Sequence, residues 1–191
     1  SSAAELYALP WELLPLRTGQ CLGECDTVLI HFAWPQTICQ PEQPSPRAEG
    51  GRILFAWSAA GGAVPTADHV QALRSAAEIG QTSFQVDRDV LANASLERIA
   101  EALAAAAQQG EPISVLHLLC HGGEIGQTFG LCLDGEDEPV TVDASQVRSQ
   151  LARFASMVRL VVLLACDAGN PGPLGSQLGS VAQALHRCGF Q

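Results

Sequence analysis

Lysine is missing from these 191 residues: all ten basic side chains are arginine, set against twenty carboxylates, for a net charge of -10 and a pI near 4.8. A chain this short of positive charge is poorly equipped to displace counterions from a phosphate backbone, which argues against direct nucleic-acid binding. The absence of lysine by itself decides nothing about mechanism. No apolar stretch reaches the roughly 18–20 residues of a membrane helix, and no signal peptide opens the chain, so neither membrane insertion nor secretion is expected. Paired cysteine spacing is lacking too. The seven cysteines, at 21, 25, 39, 120, 132, 166 and 188, are odd in number and scattered, as in a protein of the reducing cytoplasm. Cys21 and Cys25 form C-x3-C, but neither a second pair nor a histidine cluster completes a zinc site. The string from His117 to His121 misses the haem-attachment pattern at its first position, and GGEIGQTFG does not lead directly into a helix as a dinucleotide fingerprint would. No metal or cofactor is expected, and no internal repeat is visible.

What is present is the composition of an ordinary folded domain, 47% hydrophobic and 16% charged. The length fits one core, so 1–191 reads as a single domain. Its abrupt start and end give it the look of a fragment or subunit of something larger. VLIHFA (28–33) reads as a strand, and the Pro-rich 35–51 that follows reads as an exposed loop. From residue 52 short apolar runs alternate with helical periods. ILFAW (53–57), SFQV (83–86), ISVLHLL (113–119) and RLVVLLA (159–165) read as strands. Helices are expected after Thr66 as N-cap, with Val70, Leu73 and Ala77 inward, and after Ser95, with Leu96, Ile99 and Leu103 inward. A third is expected after Asp143 in a capping box with Gln146, and a last one along Leu174, Leu178, Val181, Leu185 and Cys188. GLCLD (130–134) and PVTVD (139–143) flank an acidic turn as a hairpin. The class is α/β: a mostly parallel sheet with helices on both faces.

In such sheets function gathers beyond the carboxyl ends of the strands. Strand 113–119 runs into Cys120, His121, Gly122 and Gly123, and strand 159–165 runs into Cys166 and Asp167. A thiolate is a nucleophile, and an imidazole can take its proton and later protonate a leaving amine, so His121 and Cys166 make a candidate cysteine-hydrolase dyad. Gly122, without a Cβ, lets the chain turn sharply and bring its N–H close to a developing oxyanion. The plainer reading is that these are loop-end residues. Asp167 weighs against the dyad, since a neighbouring carboxylate opposes thiol ionisation unless it points away. His117 reads as a hydrogen-bonded residue of the core or of a helix contact, Cys120 and Cys132 as filler, and His31, His69 and His186 as surface or strand-end residues.

LPWELL (9–14), ILFAW, the helix with Ala76-Ala77-Glu78, LHLLCHGG (116–123), GLCLDG and VVLLACDAG occur in an order that resembles the CHAT family of caspase-like cysteine peptidases. The resemblance covers nearly the whole chain. It implies that His121 is general base and acid, that Cys166 attacks a peptide carbonyl, and that the oxyanion hole uses the backbone N–H groups of Gly122 and Cys166. It leaves the substrate-binding residues unknown. It also implies a protein substrate, a C-terminal segment or small subunit that supplies further strands, and an upstream regulatory or sensor module. Asp134, Glu136, Asp137 and Glu138 could attract a basic substrate side chain, as acids do in relatives that cut after Arg or Lys. The competing classes are a catalytically silent interaction module of the same fold and a flavodoxin-like ligand-binding domain.

Overall fold

The computed structural model describes residues 13–17, 19–22, 25, 51–80, 83–166, 168 and 180–190. The chain separates into two compact units, Ser1–Thr37 and Ile38–Gln191. In the first, Pro15 and Cys21 form an isolated antiparallel bridge, and Leu16 N–H donates to the Gln20 carbonyl (2.8 Å) around Gly19, whose φ of 86° is left-handed. VLIHFA and 35–50 lie outside the described residues.

The second unit is built on a parallel sheet of order β2-β1-β3-β7, from β1 (Arg52–Trp57), β2 (Val90–Leu91), β3 (Ile113–Leu119) and β7 (Leu160–Leu164). Alternation along β1 divides its side chains between two faces. Leu54 and Ala56 join the main core with Leu116 and Leu118 of β3. Phe55 points the other way, onto the ring of His69 in helix α1 (Thr66–Ile79). Helices α3 (Leu96–Gln108), α4 (Ala144–Leu151) and α5 (Val181–Arg187) send Leu96, Ile99, Leu103, Val147, Leu151, Val181 and Leu185 into the main core. Each large apolar side chain so buried contributes about 1.5–3 kcal/mol. The architecture is therefore the expected α/β one, with helices on both faces.

Local chemistry sets the helix ends. Ser95 Oγ accepts from Arg98 N–H (3.1 Å) before α3, and Gly110 follows it with φ 73°. Asp143 and Gln146 form the expected capping box: Asp143 Oδ1 accepts from Gln146 N–H (2.8 Å) and Gln146 Oε1 from Asp143 N–H (2.9 Å). Asp143→Ala is expected to cost about 1 kcal/mol in urea unfolding, while Ser145→Ala, which keeps the cap, should leave the midpoint nearly unmoved.

Three expectations are corrected. SFQV is not a strand: Val86–Asp89 is a single helical turn, α2, and the strand beside β1 is Val90–Leu91, because Asp89 turns inward to meet Arg52. Thr66 is the first helical residue of α1, with Pro65 before it and no side-chain cap. The last helix starts at Val181, where Ser180 makes its own capping box with Gln183, so it does not run continuously from Leu174. Leu174 and Leu178 lie outside the described residues.

The hairpin of 130–143 is present as β5 (Thr128–Leu133) and β6 (Val140–Val142), antiparallel with Leu131 opposite Val142. It gains a strand the sequence reading did not foresee. His121–Ile125 is β4, antiparallel to β5, so the polypeptide passes from the parallel sheet into a separate three-stranded one at His121.

Candidate active site

Strands β3 and β7 are paired to their ends, Leu119 opposite Leu164, and Cys120 N–H continues the ladder by donating to the Leu164 carbonyl (3.1 Å). His121 and Cys166 are each the second residue beyond that last pair. The two chains stay in contact there. The space a Cβ on Gly122 would need is filled by the backbone of Cys166: its carbonyl oxygen is closest, its carbonyl carbon lies 2.7 Å away and its Cα 3.4 Å. Gly122 therefore serves close approach. The sharp turn expected of it is not made, since Gly122 lies in β4 and its φ is not left-handed.

A third chain completes the arrangement, and the sequence reading missed it. Beyond β1, Ser58 N–H donates to the Leu119 carbonyl (3.0 Å), and the buried Ser58 Oγ accepts from Ala60 N–H (3.1 Å). The loop then turns through Gly61 (φ 88°) and Gly62 (φ 140°), with Gly62 N–H donating to the Ala59 carbonyl (2.9 Å). A Cβ on Gly61 would stand 3.6–3.8 Å from His121 side-chain atoms, and one on Gly62 3.5 Å from Nε2. The Ala63 carbonyl lies 3.3 Å from His121 Nε2. A carbonyl only accepts, so Nε2 carries the proton and the neutral ring keeps its lone pair on Nδ1. The signal for this third element was the glycine pair straight after a buried strand, at a strand end the motif search passed over.

His121 is half-buried and Cys166 exposed, so both are open to solutes. Asp167 lies outside the described residues. The other candidates fall away from this point. Cys120 is buried, and burial, with the neighbouring Cys132, pushes its thiol up to about 12, far from thiolate at neutral pH. Cys132 pairs with His121 across β4 and β5, and its Sγ lies 2.7 Å from where a Cβ on Gly123 would sit, which accounts for the second glycine.

His117 is tied into the fold as expected, through His69. His69 is not the unpartnered surface residue expected of it: its Nδ1 lies 3.1 Å from His117 Nε2. Glu136, Asp137 and Glu138 are exposed at the hairpin tip, while Asp134 lines a pocket of about 170 Å3 with Leu96, Glu97 and Gln146. Among the described residues no three His, Cys, Asp or Glu side chains are placed to hold a metal, and no helix is long and apolar enough to cross a membrane.

The model of the CHAT domain family matches residues 1–191. The chain belongs to the CHAT family. That family is caspase-like, and the four-stranded parallel sheet with its helices fits such a fold. No curated protein matches this CHAT domain.

Proposed function

We propose that this CHAT domain is a cysteine endopeptidase working through His121 and Cys166. The observation that carries the reading is the contact of the Gly122 and Cys166 backbones at adjacent strand ends, beside an imidazole whose Nε2 is held by Ala63. The Cys166 thiol gives its proton to His121 Nδ1, and Sγ attacks the peptide carbonyl carbon. The resulting oxyanion accepts from the N–H groups of Gly122 and Cys166. His121 returns the proton to the leaving amine as the C–N bond breaks, leaving a thioester. Water, deprotonated by the same imidazole, hydrolyses the thioester and frees the thiol.

The odd number and scattered spacing of the seven cysteines suit a reducing, cytoplasmic setting. Among the described residues β7 pairs with β3 alone, and its five side chains are half-buried or exposed. A further segment or a small subunit adding a strand there would cover them, and a partner or sensor module would switch the enzyme on.

The test is covalent labelling of Cys166 by a peptidyl acyloxymethyl ketone in the full-length protein, read by intact and peptide mass. His121→Ala is expected to slow labelling by roughly 10²–10⁴-fold. Absence of a Cys166 adduct, or equal rates in the variant, would establish the catalytically silent interaction module instead.

A further inference from the structure

We propose that the His69–His117 pair is an acid-released latch, and that its two rings are positioning residues for His121. Helix α1 holds the sheet lightly. Only Ala77 is buried along it, Val70 and Leu73 are half-covered and Ile79 is 85% exposed. Among the described residues its one side-chain hydrogen bond is His69 Nδ1 to His117 Nε2, at 3.1 Å. Phe55 stacks on His69 (centroids 6.0 Å apart) and meets His117 edge-on (5.2 Å).

The link to the active site is short. His69 N–H donates to the Pro65 carbonyl (3.3 Å) and Thr66 N–H to the Val64 carbonyl (2.8 Å), so the first turn of α1 is hydrogen-bonded back to Val64, the residue next to Ala63. Freeing His69 loosens the carbonyl that holds His121 Nε2.

Two imidazoles can share this hydrogen bond when neutral or when one is protonated, because one nitrogen then donates and the other accepts. With both protonated, two N–H groups and two charges face each other across 3.1 Å, and the bond is lost. Among the described residues no carboxylate bonds to either ring to offset the charge. β1 contributes Phe55 and β7 places Val162 opposite His117, neither of which titrates. The nearest charged residues of α1 itself, Asp68 and Arg74, stand at exposed positions, and no charged side chain among the described residues bonds to either ring. Burial, then the charge of His69, lowers the pKa of His117. The unfolded chain therefore takes up protons first, and the stability the neutral pair contributes is present above the ordinary histidine range and lost as pH falls below about 6.5.

Amide hydrogen exchange at pH 7.5 and 5.0, with exposure times scaled for the intrinsic rate, tests the latch in the full-length protein. Opening of 58–79 is expected to increase at least roughly tenfold at the lower pH, with 96–108 unchanged. The double variant His69→Gln/His117→Gln, in which neither position titrates, should make opening of 58–79 independent of pH, whether that segment is uniformly protected or uniformly open. A wild type without the response, or the double variant with the same response, overturns the proposal. The effect on the reaction rests on the peptidase reading. The acid limb of Cys166 labelling should be steeper in wild type than in His69→Gln/His117→Gln. An exchange response with an inert Cys166 would keep the latch and refute the peptidase.

Discussion

Gly122→Ala is expected to lower the rate of Cys166 labelling by about 10²-fold or more, because the new methyl has nowhere to go. It would press against the Cys166 carbonyl oxygen and lie 2.7 Å from the carbonyl carbon, so the backbone bearing the nucleophile must retreat. A misplacement of about 1 Å at a reacting centre costs on the order of 10²-fold. Overpacking adds about 1–3 kcal/mol of destabilisation. The obstruction is main chain, so truncating a side chain cannot relieve it. Gly123→Ala provides the contrast, since its obstruction is the Cys132 thiol, 2.7 Å away. Adding Cys132→Ala to Gly123→Ala should recover most of the loss. Labelling of Gly122→Ala within threefold of wild type would show that the two strand ends are not held together as described.

Asp89→Ala should be the most destabilising single change outside the apolar core. The Asp89 side chain is fully buried at the start of the sheet, where it accepts from Arg52 Nε (2.9 Å), Arg88 Nε and Nη2 (3.0 Å each) and Gln85 N–H (2.7 Å). Removing it takes from Arg52, only 12% exposed, its buried counter-charge, leaving Glu111 and the Arg88 carbonyl at 3.3 Å each, and leaves the Gln85 N–H without its acceptor. Loss of one member of a buried ion pair costs about 3–5 kcal/mol, or on the order of 10 °C in melting temperature for a domain of this size. Burial alone would push the Asp89 carboxyl up; hydrogen bonds from Arg88, Gln85 and Arg52 outweigh it and hold the carboxyl below the ordinary carboxylate range. With the folded-state value depressed, the stability it contributes is present above about pH 3.9 and lost as pH falls through the folded value. Urea titrations at pH 7, 4 and 3 should therefore show the wild type converging on Asp89→Asn at the acid end. Parallel lines would assign the acid loss to other groups. The cluster sits at the opposite end of β1 from Ser58, so labelling of the folded Asp89→Ala fraction should match wild type.

The contrast between α3 and β2 shows what could be read in advance. Ser95, the Leu96-Ile99-Leu103 stripe and Gly110 are local signals, each acting within a turn or two of helix, and they placed α3 correctly. The segment 83–91 carries equally apolar residues, but Asp89 is drawn inward by Arg52, 37 positions away, and that contact turns Val86–Asp89 into a helix and moves the strand to Val90. His69 was misread for the same reason, since its partner His117 is 48 positions off. No periodicity within a window of ten or fifteen residues contains such pairings.

The sequence by itself determined the α/β class, the parallel strands β1, β3 and β7, the caps Ser95 and Asp143 and the two strand ends carrying His121 and Cys166, because hydrophobic period and capping chemistry are local. It also carried the order of motifs by which the chain belongs to the CHAT family. Only the tertiary structure decided that Gly122 is needed for the approach of Cys166, that Gly123 makes room for Cys132 and that Ala63 holds the His121 ring. Those are contacts between backbone segments brought together by sheet register, and a backbone carbonyl or an empty Cβ position leaves no mark on which amino acid stands where.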